Sequence, residues 1–205
     1  MAKDFSKLAK YIPEGTYTAV EQLLLPERLF LKVKKPRQSK FGDYRYEQSK
    51  DLHYITINND LNQYAFLITL LHEIAHLYTF REHHRKASPH GSEWKSRYSA
   101  LLRQFMAGEV FPDDIQKALV VHLSSPTAST CTDMQLFKIL KRYDKEGQTA
   151  TVLVENIPDG KYFKWNEDRV FLKLHKIRKR YKCEEVKTRR IYFFHPLAEV
   201  EGVEV

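Results

Sequence analysis

The chain has 205 residues, 42% of them hydrophobic, with 34 Lys or Arg against 26 Asp or Glu and a formal net charge of +8. That length holds one or two small domains with real cores, and no run of about 18 apolar residues offers a membrane span. Met1-Ala2-Lys3-Asp4-Phe5 is charged and lacks the apolar stretch of a signal peptide. The only two cysteines, Cys131 and Cys183, form no disulfide framework, so a reducing cytoplasm is the expected home.

In chain order, residues 5–11 and 16–25 read as short helices separated by Pro13 and Gly15. Residues 29–35, 43–48 and 53–58 read as strands, the third placing Ile55 and Ile57 on one face and Thr56 and Asn58 on the other. Asn59 or Asp60 is the expected cap of the next helix. In that helix Leu67, Leu70, Leu71, Ile74, Leu77 and Tyr78 recur at offsets of three and four, which makes one apolar stripe. It also carries His72-Glu73-Ile74-Ala75-His76. Residues four apart on a helix lie one above the other, so His72 and His76 can grip one Zn²⁺ together. Glu73 points about 100° away, towards the water such an ion would acidify to a pKa of about 7. The pattern is that of a zinc metallopeptidase. The pair falls opposite the apolar stripe, which suits the floor of a cleft or plain solvent.

A catalytic zinc takes three protein ligands and leaves one position open. Thr79 and Glu82 stand where a metzincin has Gly and its third His, which excludes that class. The candidates for a third ligand are Glu82, His83, His84, His90 and Glu93. His83 is two helical turns, about 10 Å, beyond His76 and too far along the axis to share an ion with both others. Pro89 ends the helix, and His90-Gly91 forms a loop before a cap at Ser92. A loop held between two packed helices can bring His90 over the first pair. The second of those helices carries Trp94, Tyr98, Leu101, Leu102, Phe105 and Met106 on its apolar side. Further helices are expected from Pro112 to His122 and from Asp133 to Tyr143, and a turn at 144–148. Residues 149–155, 162–165, 170–174, 181–186 and 190–194 then read as strands between turn signals such as Pro158-Asp159-Gly160.

HEIAH, a spacer of 13 residues and His90-Gly91-Ser92-Glu93-Trp94 together resemble the SprT-like family, which includes the Spartan-type proteases. The resemblance covers roughly residues 5–145. It implies that His72, His76 and His90 hold one Zn²⁺ per chain and that Glu73 is the catalytic base. It implies a zincin-like helical core with a small antiparallel sheet over 1–145; the strand-like remainder predicts a small β-rich C-terminal subdomain over 146–205, for an α+β fold as a whole. In such a fold the strand before the active helix can lie along the cleft and pair with an extended substrate. Many relatives carry a four-cysteine zinc ribbon where this chain has Tyr181-Lys182-Cys183 and Tyr192-Phe193-Phe194-His195. One Cys and one His cannot fill such a site, so a hydrophobically packed module without metal is expected there, with Cys183 as a small strand residue.

Family likeness also implies action on proteins bound or crosslinked to DNA, in a cytoplasm and at the nucleoid if the chain is bacterial. The charge agrees. Residues 173–190 carry nine basic and two acidic residues, 28–50 eight and two, and the stretch 51–145 eleven and ten. Lys173, Lys176, Arg178, Lys179, Arg180, Lys182, Lys187, Arg189 and Arg190 are the expected nucleic-acid contacts, with Trp165, Tyr181, Tyr192 and Phe193 interleaved for base stacking. With no recognition helix or zinc finger, the expected partner is single-stranded or structured DNA bound with weak sequence preference. Protein substrates and no membrane complete the expectation. The oxyanion donor is open, with Tyr98 and His122 as candidates. Two other readings stay open: a non-enzymatic nucleic-acid-binding module with a vestigial zinc site, and a zinc hydrolase of a non-protein substrate.

Overall fold

The computed structural model describes residues 4–37, 40–124, 133–144, 151–166 and 169–203. Cys131 and residues 145–148 of the turn expected at 144–148 lie outside them. The chain divides into two compact units, Met1–Asp144 and Lys145–Val205.

The first unit is built on one long helix. The helix expected at 5–11 is a 3₁₀ helix, Ser6–Lys10, and it is followed by α1 (Tyr17–Leu24), β1 (Leu29–Lys34), β2 (Gly42–Glu47) and β3 (Leu52–Asn58). The helices α2 (Gln63–His83), α3 (Ser92–Ala107), α4 (Asp113–Ser124) and α5 (Met134–Lys141) follow. The three strands are ordered β1-β3-β2, with β1 parallel to β3 and β2 antiparallel to it. The sheet is therefore mixed rather than wholly antiparallel, within an α+β architecture. β3 is the central strand, so its backbone groups are spent on two neighbours and cannot pair with a substrate; β2 holds the edge.

α2 starts one turn later than its expected cap. Neither Asn59 nor Asp60 caps it; the side chain of Asn62 accepts from the Tyr64 and Ala65 amides at 3.1 and 3.0 Å. Asn62 Nδ2 also donates to Leu140 O and Asp144 Oδ1, both at 2.8 Å, tying the start of α2 to the end of α5. α2 packs against β2 and β3 on one side and α3 on another. Burial therefore runs almost all round it, through Phe66, Leu67, Ile68, Leu70, Leu71, Ile74 and Leu77, which is the signature of a central core helix. α2 ends at His83, and a 3₁₀ turn at His84–Lys86 precedes Pro89. α3 buries Trp94, Tyr98, Leu101, Leu102 and Phe105 at helical spacing, and its cap is Gly91 rather than Ser92.

The second unit is a six-stranded antiparallel sheet of β4 (Thr151–Leu153), β5 (Tyr162–Trp165), β6 (Arg169–Ile177), β7 (Arg180–Glu185), β8 (Ile191–Phe194) and β9 (Glu199–Gly202). Its order is β4-β9-β5-β6-β7-β8. β9 is an addition to the expected strands; its Glu-Val-Glu-Gly is too short and acidic to stand out from a tail. One sheet face supplies the core, with Phe163, Phe171, Cys183, Phe194 and Val200 beside Val154 and Ile157. Cys183 is fully buried in β7, and burial pushes its thiol up to about 11. Among the described residues no helix is long and apolar enough to cross a membrane.

Candidate metal centre

His72 and His76 sit in the middle of α2, and His90 sits in the loop before α3. The three rings meet through their Nε2 atoms, at 3.2 Å for His72–His76, 3.0 Å for His76–His90 and 3.2 Å for His72–His90. A neutral imidazole has one N–H, so three such nitrogens cannot satisfy one another within that triangle. A tetrahedral ion with metal–nitrogen bonds of about 2.0–2.1 Å needs its ligand nitrogens about 3.3 Å apart. The triangle fits that requirement. Among the described residues these three form the group of donors able to hold a metal ion.

The electrostatics favour the ligand form. Burial first, and the neighbouring imidazoles second, hold His72 down at about 2 and His76 at about 4. Burial also lowers His90. Near neutral pH all three are therefore uncharged, as metal ligation requires. His72 is only 8% exposed, so the solvated-face alternative does not hold for it. His90 reaches the centre with a backbone φ of 59°, in the left-handed region that a His adopts only sparingly.

Trp94 forms the floor. It is fully buried, with ring centroids 4.6 Å from His72, 4.6 Å from His90 and 5.3 Å from His76. Tyr98 stacks against Trp94 at 4.9 Å. The ring of His122 meets Tyr98 edge-on, and its Nδ1 lies 2.7 Å from Asp133 Oδ2. Tyr98 and His122 are both buried and neither lines the cleft, so neither can reach a substrate oxygen.

The opening over the triad is a cavity of about 460 Å³ whose walls include Gly42, Tyr44, Glu73, Phe80 and His84. Glu73 is 6% exposed, and burial, with Asp43 nearby, pushes its carboxyl up to about 8 against the pull of Arg37 and Lys40. Of the other ligand candidates, Glu82 pairs with Arg97, Ser92 Oγ donates to Glu93, and His84 reaches the cavity wall without joining the triangle. Two wall residues carry no motif and escaped the sequence reading. Tyr44 lies parallel to His76 at 6.1 Å, with its hydroxyl 3.0 Å from His53 Nδ1. Gly42 lies against Glu73. The period-two spacing of Gly42, Tyr44 and Tyr46 puts them on one face of β2 but does not say what that face meets.

The nine basic residues expected to contact nucleic acid do not form one class. Lys173 is 3% exposed; its Nζ donates to Ile157 O at 2.5 Å and sits 3.8 Å over the Tyr181 ring. It is a structural residue of the second unit. Lys182 is half-buried, while Lys176, Arg178, Lys179, Arg180, Lys187, Arg189 and Arg190 are exposed. Trp165, Tyr181 and Tyr192 pack against the core, which leaves Phe193, 52% exposed, as the free aromatic ring of the four.

Residues 16–113 match the model of the SprT-like family. No curated protein and no solved structure matches the chain. The matched stretch runs from the start of α1 to the start of α4 and contains His72, Glu73, His76 and His90. Over residues 16–113 the first unit of this chain is therefore similar to the SprT-like family, and its three histidines could hold a metal ion.

Proposed function

We propose that the protein is a zinc-dependent metallopeptidase acting on proteins held at DNA. The observation that carries the reading is the convergence of three imidazole Nε2 atoms within 3.2 Å on the same cavity that Glu73 lines. His72, His76 and His90, which line the cavity, would hold the ion. Zn²⁺ there supplies Lewis acidity, polarising a carbonyl and acidifying water. A bound cation would favour the ionised form of the Glu73 carboxyl, which burial alone disfavours; as the carboxylate, Glu73 would take the proton of the attacking water and return it to the leaving amine nitrogen. Trp94 excludes water from beneath the ligands. An extended peptide adds to the edge of β2, whose Gly42, Asp43 and Tyr44 line the cavity.

The DNA half of the reading rests on the second unit. Arg178 and Arg189 occupy turns with φ of 51° and 60°, where Gly or Asn is the relaxed choice. Charge stands there at a cost in backbone comfort. Exposed Phe193 on the same unit offers a face for base stacking.

The test is cleavage of a protein crosslinked to a single-stranded oligonucleotide, with wild type and Glu73→Gln compared at equal zinc content. Wild type is expected to cleave in a DNA-dependent manner, and Glu73→Gln to lose at least about a hundredfold in rate while keeping its metal. DNA retention without turnover in either protein would instead favour a binding module. Turnover of a small substrate that ignores DNA and salt would favour the non-protein hydrolase.

A further inference from the structure

Gly42 stands where glycine is hard to justify. It is the first residue of β2, in ordinary backbone conformation, and glycine weakens strands. Its reason is space. A Cβ at position 42 would collide with Glu73 Oε1 and would lie 2.9 Å from Glu73 Cγ and 2.8 Å from Thr69 Cγ2. Real side chains do not tolerate such distances, so something would have to move.

The surroundings decide what moves. Thr69 is one helical turn before Glu73, and its hydroxyl donates to Ala65 O at 2.7 Å, which fixes the direction of its methyl. The strand cannot easily retreat. Asn58 N donates to Phe41 O at 2.9 Å, and Asn58 Nδ2 holds Arg37 O and Lys40 O at 3.0 and 3.1 Å. Arg37 in turn donates to Asn58 Oδ1 at 2.8 Å and to Thr56 Oγ1 at 3.0 Å. The free element is the end of the Glu73 side chain. We infer that Gly42 is a positioning residue, whose missing side chain is the seat that sets where the Glu73 carboxylate stands in the cavity. The inference rests on the proposed role of Glu73 as base.

The variant is Gly42→Ala. Its expected zinc-to-protein ratio is that of wild type, because the triad lies on α2 and the His90 loop. The added methyl faces Glu73 and Thr69 of α2 and leaves the backbone edge of β2 unaltered, so KM for an unfolded protein substrate should hold while kcat falls by about a hundredfold, the scale of a misplacement of about 1 Å. Wild-type kcat, or joint loss of zinc and kcat, overturns the inference. A second readout needs no activity. Gly42→Ala should lower the melting temperature more in wild type than in a Glu73→Ala background, where the seat is empty. Equal lowering in both backgrounds overturns the inference, and this cycle still decides it if the protein proves to have no peptidase activity. Should Gly42→Ala alone not fold, a Thr69→Ser background removes the second clash and serves as the reference for both measurements.

Discussion

At the residue scale, the site depends on side chains that are individually uncomfortable. Three imidazoles crowd one point, and a carboxylate is buried beside them. His90 holds a left-handed backbone next to Gly91. Trp94 stabilises this arrangement from below, touching all three rings. Trp94→Ala should cost about 3–5 kcal/mol, the range for emptying a large aromatic site, measured by urea denaturation of the metal-free protein. It should also weaken zinc binding, since the rings lose their support. A cost under about 1 kcal/mol would mean that the floor is not a packing element. The four central residues were legible in the sequence because each belongs to a spaced motif. Gly42 and Tyr44 were not, because a strand edge brings them to the site through pairing with β3, and no local pattern encodes that contact.

At the scale of elements, α2 carries the first unit. Its apolar stripe was readable by period, and so was its place as the helix of the motif. Its environment was not. The sequence offered a helix with one core face, whereas the sheet and α3 enclose it on several sides and bury His72 and Glu73 as well. Central placement of β3 was equally hidden, because the alternation of Ile55 and Ile57 is the same in an edge or a middle strand. The cap was missed for a related reason. Asn59, Asp60 and Asn62 are all acceptable capping residues, and the bonds from Asn62 to Leu140 and Asp144, about eighty residues away, decide among them. Asn62→Ala should therefore cost more than an isolated cap, at or above about 2 kcal/mol, with the loss read by chemical denaturation. Asn62→Ser keeps an acceptor for the Tyr64 and Ala65 amides without setting a second carboxylate against Asp144, and should recover part of it.

At the scale of the whole molecule, the chain joins a unit with a candidate metal centre to a basic β unit. The composition of residues 173–190 announced the charge but not its division. Lys173 serves the fold of the second unit, and the exposed residues serve the surface. Lys173→Ala should lower the melting temperature of the chain through the lost contact with the partly buried Tyr181 ring and the carbonyls left unpaired. Arg178→Ala with Lys179→Ala and Arg180→Ala should leave the melting temperature nearly unchanged and flatten the dependence of DNA affinity on salt. Three lost phosphate contacts change the log–log slope by about 2–3. An unchanged slope would move the DNA contacts elsewhere. All of this presupposes the metal centre, and metal analysis of wild type beside His90→Ala tests it most directly. The account predicts one zinc per wild-type chain and a large loss of zinc in His90→Ala at unchanged secondary structure. Full zinc retention in His90→Ala would contradict it.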